Sequence, residues 1–354
     1  MKKPALIIFV LLLLVLAVLY FYHSSIHFKD LYQVLWPLFW PAHMKGATLF
    51  VLDETLVPSK IKYIPVKDVH GACGVIRGMK TRAFGQFLVV LNTFLLVLMN
   101  DKGRFPKILL NKLKKTADNL NNSRPTFPFS EVTSIVVGWA HKAVANRMDI
   151  RPFLNKNIQG YLMGIRVRRL DRVKRIAELI KDGDRILTHC NVSGELAMAA
   201  NLCQKQNKKI HFFATETRPY LQGAKLTCWE LKQMNAEVTL ISDSTIGSVM
   251  ADGLITKVIV GSDRNCANGD FANKIGTYSI AVLAKEFEIP FYVLTQPSQK
   301  IKSGDDIPIE FRSDQELLNF AGEKIAPKGA KGFYPGFDIV PNALITGSIA
   351  IDVN

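Results

Sequence analysis

Over the second half of the chain, short β-branched runs alternate with longer helical stretches. Arg185 to Thr188, Ile210 to Ala214, Val238 to Ser242, Val258 to Gly261 and Phe291 to Leu294 read as strands. The stretches beginning near Ser193, Gln222, Ser244 and Lys274 are long enough to cross back over a sheet, which is what parallel strands require of their connections. The pattern predicts a Rossmann-like α/β domain with a parallel sheet over 161–354. Residues 46 to 159 lack this alternation, and the apolar run Phe87 to Met99, broken by Asn92 and Thr93, suits a buried helix better than a membrane span. A smaller, mainly helical N-terminal domain over 45–160 is expected.

Ahead of these domains, Lys2 and Lys3 precede eighteen residues, Ala5 to Tyr22, without a charge or a strong helix breaker. That length spans a bilayer. A cleaved leader has a shorter apolar core and a small-x-small site, and His23-Ser24-Ser25-Ile26-His27 offers none. A retained single-pass transmembrane helix is the expectation. The stretch Leu31 to Pro41, with Trp36, Pro37, Trp40 and Pro41, is too short and broken to span and suits the membrane interface. Residues 1–44 thus read as anchor and interfacial segment.

The charge flanking the helix leaves its orientation open, because both sides are basic. The five cysteines, at 73, 190, 203, 228 and 266, form no C-x-x-C pair and no zinc-like spacing. Neither a disulfide framework nor a metal site is expected, and the usage favours a reducing compartment, placing the large domain on the cytoplasmic side.

A formal net charge of +15 suits an anionic partner: a phosphorylated metabolite, an acidic lipid surface or nucleic acid. Its densest run, Arg166, Arg168, Arg169, Arg172, Lys174 and Arg175, overlaps apolar positions at helical spacing and reads as a solvated helix face. Both the G-x-x-x-x-G-K-[ST] loop and the G-x-G-x-x-G fingerprint are absent, so no motif supports nucleotide binding.

In open α/β sheets the ligand sits beyond the carboxyl ends of the strands. Here the exits read Thr188-His189-Cys190-Asn191, Thr215-Glu216-Thr217-Arg218-Pro219, Asp243, Ser262-Asp263-Arg264-Asn265 and Thr295-Gln296, bringing Cys, Glu, Arg, Asp and Asn toward one rim. Cys190 reads either as a small buried residue or, from its place at a strand exit, as a site residue. A Cys190–His189 pair is rejected, because adjacent residues on an extended backbone point to opposite faces. Asp263 reads as a site carboxylate, a cap, or the ion-pair partner of Arg264. The loop Asn268 to Lys274 leads toward a helix N-terminus, a setting that favours an anion such as phosphate.

Several of these segments together resemble the methylthioribose-1-phosphate isomerase family. They are Leu187-Thr188-His189-Cys190-Asn191, Glu216-Thr217-Arg218-Pro219, Leu221 to Thr227, Gly261-Ser262-Asp263-Arg264, Asn268-Gly269-Asp270, Asn273 to Tyr278, and Phe337-Asp338 with Pro341. The resemblance runs from about Leu52 to the end. Its wider superfamily includes ribose-1,5-bisphosphate isomerase and the regulatory alpha, beta and delta subunits of the initiation-factor exchange complex, which are not isomerases. The resemblance implies a cofactor-independent aldose–ketose isomerase of a sugar 1-phosphate with Cys190 and Asp263 catalytic. It also implies substrate contacts from Arg82, Arg124, Gln222, Asn273 and Lys274, a homodimer, and no nucleic-acid partner. Two segments depart from the family: Arg82 to Leu88 keeps the arginine but loses a glycine-proline turn, and Asn191 to Glu195 is longer by about one residue. A different ribose phosphate such as ribose 1,5-bisphosphate, or a metabolite-sensing relative, are the alternatives.

Overall fold

The computed structural model describes residues 37–103, 105–296 and 300–351. The expected transmembrane helix, Ala5 to Tyr22, lies outside the described residues. The described end of the expected interfacial segment is protein core instead. Leu38, Phe39 and Trp40 are buried, with Phe39 beneath the Arg169 guanidinium at 4.2 Å and Trp40 beneath that of Arg166 at 4.5 Å.

Strands β1 (Ala42–Lys45), β2 (Thr48–Leu52) and β3 (Tyr63–Val66) form an antiparallel sheet that the helical pattern of this region did not reveal. Helices α1 (Val69–Arg77), α2 (Ala83–Asn100), α3 (Pro106–Ser123) and α4 (Phe129–Ala145) follow. Among the described residues, α2 alone is long and apolar enough to cross a membrane, but 72% of it is buried within the protein, as expected of a core helix. Its two polar interruptions are satisfied locally: Asn92 Nδ2 donates to the Leu88 carbonyl at 2.8 Å and Thr93 Oγ1 to that of Val89 at 2.7 Å.

Helix α5 (Ile150–Leu179) runs through position 160 without a break. Its Ile150, Leu154, Ile158, Leu162 and Ile165 pack into the N-terminal core, and Val173, Ile176 and Ala177 into the core beneath the larger sheet. One helix thus belongs to both halves, and no linker separates them at 160.

The larger sheet is six-stranded and parallel, in the order β14-β10-β7-β4-β5-β6. Chain order runs β4 (Arg185–Thr188), α6 (Glu195–Lys205), β5 (His211–Thr215), α7 (Cys228–Gln233), β6 (Glu237–Ile241), α8 (Ile246–Ala251) and β7 (Lys257–Val260). It continues with β8 (Arg264–Asn265), β9 (Phe271–Lys274), α9 (Thr277–Glu286) and β10 (Phe291–Thr295). Then follow α10 (Gln315–Leu318), a short hairpin β11 (Asn319–Phe320) and β12 (Glu323–Lys324), β13 (Phe337–Val340) and β14 (Gly347–Ala350). After β6 the chain returns to the far side of β4, so the order reverses between β4 and β7. Such a switch point opens a crevice at the carboxyl ends of the two strands, and Cys190 and Asp263 follow those two strands.

Asn268 to Lys274 departs from expectation. Phe271–Lys274 is a strand, sandwiched in the small antiparallel sheet β13-β9-β8. The N-terminus of α9 begins at Thr277, and its amides already have an anion: Asp338 Oδ2 accepts from Gly276 N at 2.7 Å and from Tyr278 N at 3.0 Å. That helix end is closed to a phosphate by a carboxylate of the chain itself.

Candidate active site

Leaving β4, the backbone turns sharply at Cys190, which adopts φ +65°, and the β5 exit does the same at Thr217 (+63°) and Leu221 (+59°). Residues with side chains avoid this left-handed region, so each costs free energy that the surroundings must offset. The two exits brace one another. Cys190 N donates to Thr217 Oγ1 at 3.0 Å, and Thr227 Oγ1 donates to the Cys190 carbonyl at 2.6 Å. Asp243, at the third exit, accepts from the Thr217 and Arg218 amides at 2.8 and 2.7 Å, so its role is to hold the neighbouring loop. Gly223 must be glycine: a Cβ there would stand 1.8 Å from the Thr215 carbonyl oxygen.

His189 is buried, with Nε2 2.8 Å from the Ile275 carbonyl and Nδ1 2.6 Å from Thr215 Oγ1. A carbonyl only accepts, so Nε2 carries the proton and Nδ1 accepts from the hydroxyl. Burial lowers the imidazole below its ordinary value and keeps it neutral. Both nitrogens are engaged away from Cys190, in accord with the rejected dyad.

Cys190 remains partly accessible, yet its thiol is enclosed enough that burial pushes it up to about 11; Lys274 and Arg82 oppose this and Asp263 adds to it. Burial likewise raises the Asp263 carboxyl, against the pull of Lys274 and Arg124. Burial lowers the Lys274 ammonium, while Cys190 and Asp263 act in the opposite sense. Because each group feels the next, Cys190, Asp263, Lys274, Arg82 and Arg124 occupy one electrostatic neighbourhood, the arrangement that tunes acids and bases for proton transfer.

Lys274 is buried in an aromatic cage, its Nζ 4.9 Å from the Phe337 ring centroid, 5.8 Å from that of Tyr220 and 6.0 Å from that of Tyr334, and it donates to the Gly336 carbonyl at 3.0 Å. Asn273 precedes it on β9 and therefore faces the other way, where its Nδ2 donates to Thr277 Oγ1 at 3.0 Å. Arg124 has three of its five N–H groups committed, two to Glu310 and one to Gln86. Arg82 lies 4.7 Å over the Tyr220 ring, with Nε and Nη1 buried and without a hydrogen-bond partner. Arg82 and Gln222, whose buried Oε1 also lacks a partner, line a cavity of about 370 Å³ together with Glu54, Tyr220, Lys225 and Arg312. Asp263 lines a separate, much smaller space of about 20 Å³ beside Glu310 and Phe337. Of these two spaces, the one at Arg82 is the roomier.

Beneath the Cys190 loop, the basic run on α5 departs from a solvated face. Arg169 and Arg172 are buried and grip the buried Glu195: Arg169 Nε donates to Oε1 at 2.6 Å and Arg172 Nε to Oε2 at 2.7 Å. Burial pushes Glu195 upward, but the two guanidinium groups outweigh it and hold the carboxyl below its ordinary value. The same arginines donate at 2.8 Å to the carbonyls of Phe39, Ser193 and Thr295, tying down the segment after Cys190.

Glu230, fully buried nearby, has no such compensation. The Asn191 amide and Gly194 N–H lie close, but neither meets its oxygens in good hydrogen-bond geometry, and burial pushes the carboxyl up to about 8 from 4.5. The folded chain keeps this proton long after the unfolded chain releases it. Its contribution to stability is fully present below about pH 4.5 and is lost as pH rises through about 8. A Glu230→Gln variant should therefore gain in Tm relative to the wild type as pH goes from about 5 to about 8. Thermal melts at each pH check this, and parallel curves would refute a buried proton.

The family described as the initiation factor 2 subunit family matches residues 82–350. Methylthioribose-1-phosphate isomerase of Thermosipho africanus is 39% identical over 335 residues, covering 86% of this chain and 91% of that protein. Its counterpart in Acetivibrio thermocellus is 38% identical over 340 residues, covering 87% and 94%. The chain belongs to the methylthioribose-1-phosphate isomerase family. Among solved structures, the 5-methylthioribose 1-phosphate isomerase of Pyrococcus horikoshii superposes with a TM-score of 0.77 at 30% identity, covering 87% of this chain and 90% of that one. The delta subunit of translation initiation factor eIF-2B from A. fulgidus does so at 0.74 and 31%, covering 87% and 93%.

Within this family member, sequence reasoning passed over Tyr220, Glu310, Arg312 and Tyr334. Arg312 bonds to Tyr220, Glu316 and Glu310, and Glu310 in turn accepts from Arg124 and Thr126. Tyr220 had a signal in the Glu216-Thr217-Arg218-Pro219 segment just ahead of it. The other three lie in a long stretch after β10 that has no periodicity to read.

Proposed function

We propose that this chain isomerises methylthioribose 1-phosphate to methylthioribulose 1-phosphate, an aldose–ketose step of methionine salvage. The observation that carries the proposal is the placement of Cys190 and Asp263 at the exits of the adjacent strands β4 and β7, under the shared charges of Lys274, Arg82 and Arg124. The conversion balances without an external oxidant. The bond from C1 to the ring oxygen breaks, the hydrogen on C2 moves to C1, and the proton of the C2 hydroxyl ends on the former ring oxygen. Two relays suffice: one between carbons, given to Cys190, and one between oxygens, given to Asp263. The cationic side chains hold the phosphate, which supplies binding energy remote from the reacting carbons. Incubating the full chain with methylthioribose 1-phosphate and following ketose formation tests the proposal; no turnover would sink it.

Ribose 1,5-bisphosphate is the alternative substrate with the same chemistry. It is favoured by the polar, largely cationic lining of the cavity at Arg82, where Lys225 and Arg312 also stand. Relative kcat/KM for the two sugars decides between them.

The proposal also includes a homodimer and a single-pass anchor at Ala5 to Tyr22, with the catalytic domain on the cytoplasmic side. The full chain should then sediment with membranes and a chain beginning at Ser25 should not, as fractionation checks. A cut at Lys45 would confuse the result by removing Leu38, Phe39 and Trp40 from the core.

A further inference from the structure

Tyr334 is 3% exposed, and its hydroxyl oxygen is buried without a hydrogen-bond partner. A buried tyrosine hydroxyl normally finds one. A phenylalanine would fill the same space without leaving a polar group stranded. The location is informative, since the ring forms one wall of the Lys274 cage, with Lys274 Nζ 6.0 Å from its centroid, and packs edge-on against Tyr220 with centroids 6.5 Å apart. The tyrosine also lies within electrostatic reach of Cys190.

The ring cannot readily swing out to find water. The Tyr334 carbonyl accepts from Arg312 N at 2.9 Å, Pro335 bridges Phe311, and Gly336 both donates to the Glu310 carbonyl at 2.8 Å and accepts from Lys274 Nζ at 3.0 Å. The hydroxyl is therefore held unpaired on a ring that walls the Lys274 cage, within electrostatic reach of Cys190, as a group is when its partner arrives with the ligand. Burial and the neighbouring Tyr220 and Glu316 also raise the phenol, so it stays protonated and acts as a donor.

We infer that Tyr334 is a substrate-binding residue whose hydroxyl donates a hydrogen bond to an oxygen of the sugar next to the reacting carbons. The inference rests on the isomerase proposal above. A Tyr334→Phe variant should lose about tenfold or more in kcat/KM, while its Tm without substrate stays level or rises, because the substitution removes a stranded polar group. Tyr63, whose hydroxyl is also buried without a partner but whose ring packs against His43 rather than in the Lys274 cage, is the control: Tyr63→Phe should leave kcat/KM unchanged. Equal kcat/KM for Tyr334→Phe and wild type would overturn the inference and leave the isomerase proposal standing. A fall in Tm of several degrees would overturn it too, by showing that the hydroxyl is already paired in the free protein. An inactive wild type would sink both.

Discussion

An Asp263→Asn variant should fold as the wild type does and isomerise its substrate about 10²- to 10⁴-fold more slowly, the range spanned by removal of a positioned general acid–base group. The substitution keeps shape and removes only the titrating function. Burial already disfavours the charged form of Asp263, so an amide there relieves desolvation and Tm should not drop. Slow turnover with an undiminished Tm is thus the signature of lost chemistry, whereas a lowered Tm would signal a carboxylate needed for the fold. Cys190→Ser should behave alike. Its backbone keeps the same φ and its amide the same bond to Thr217, but a serine hydroxyl relays hydrogen less well than the thiol. The double variant should be little slower than the worse single one, because residues that act as a unit do not contribute additively. Ketose formation under saturating substrate measures all three. Turnover within tenfold of wild type in Asp263→Asn would remove that residue from the chemistry.

How far the site could be read in advance depends on the kind of information each residue needs. The placement of Cys190 and Asp263 at strand exits was legible because β4 and β7 are short β-branched runs ending in polar residues, and a parallel sheet offers a crevice at those ends. The sixth strand was not: Gly347-Ser348-Ile349-Ala350 has one large apolar side chain and, among the described residues, pairs only with β10, at the sheet edge. Strand β9 was hidden by Asn268-Gly269-Asp270, a turn signature just ahead of it, and by its Asn-Lys ending. The burial of Arg169 and Arg172 was invisible to helical periodicity, which reports a residue's face but not the carboxylate at Glu195 that makes burial tolerable. The occupancy of the α9 N-terminus turned on Asp338, 60 and more residues away in the chain. Local pattern gives strands and their exits. Charge pairing across the fold decides which of the polar residues remain free to meet a substrate.

Glu195 carries the largest expected effect on stability. Glu195→Ala leaves two buried guanidinium groups facing each other, and breaking a buried ion pair from one side costs about 3–5 kcal/mol. Denaturant titration should show the midpoint falling with an unchanged slope. In many buried ion triads, replacing all members by apolar residues restores stability, but the geometry here argues otherwise. Arg169 and Arg172 also supply the donors for the Phe39, Ser193 and Thr295 carbonyls, and each buried acceptor left without a partner costs about 1–3 kcal/mol. A triple variant with methionine at 169, 172 and 195 should therefore remain well below the wild type. It should also lose activity beyond its loss of stability, since the Ser193 carbonyl that Arg169 holds lies three residues from the strained turn at Cys190. Wild-type stability in the triple variant would mean that the arginines serve the carboxylate alone and that the loop after Cys190 holds itself.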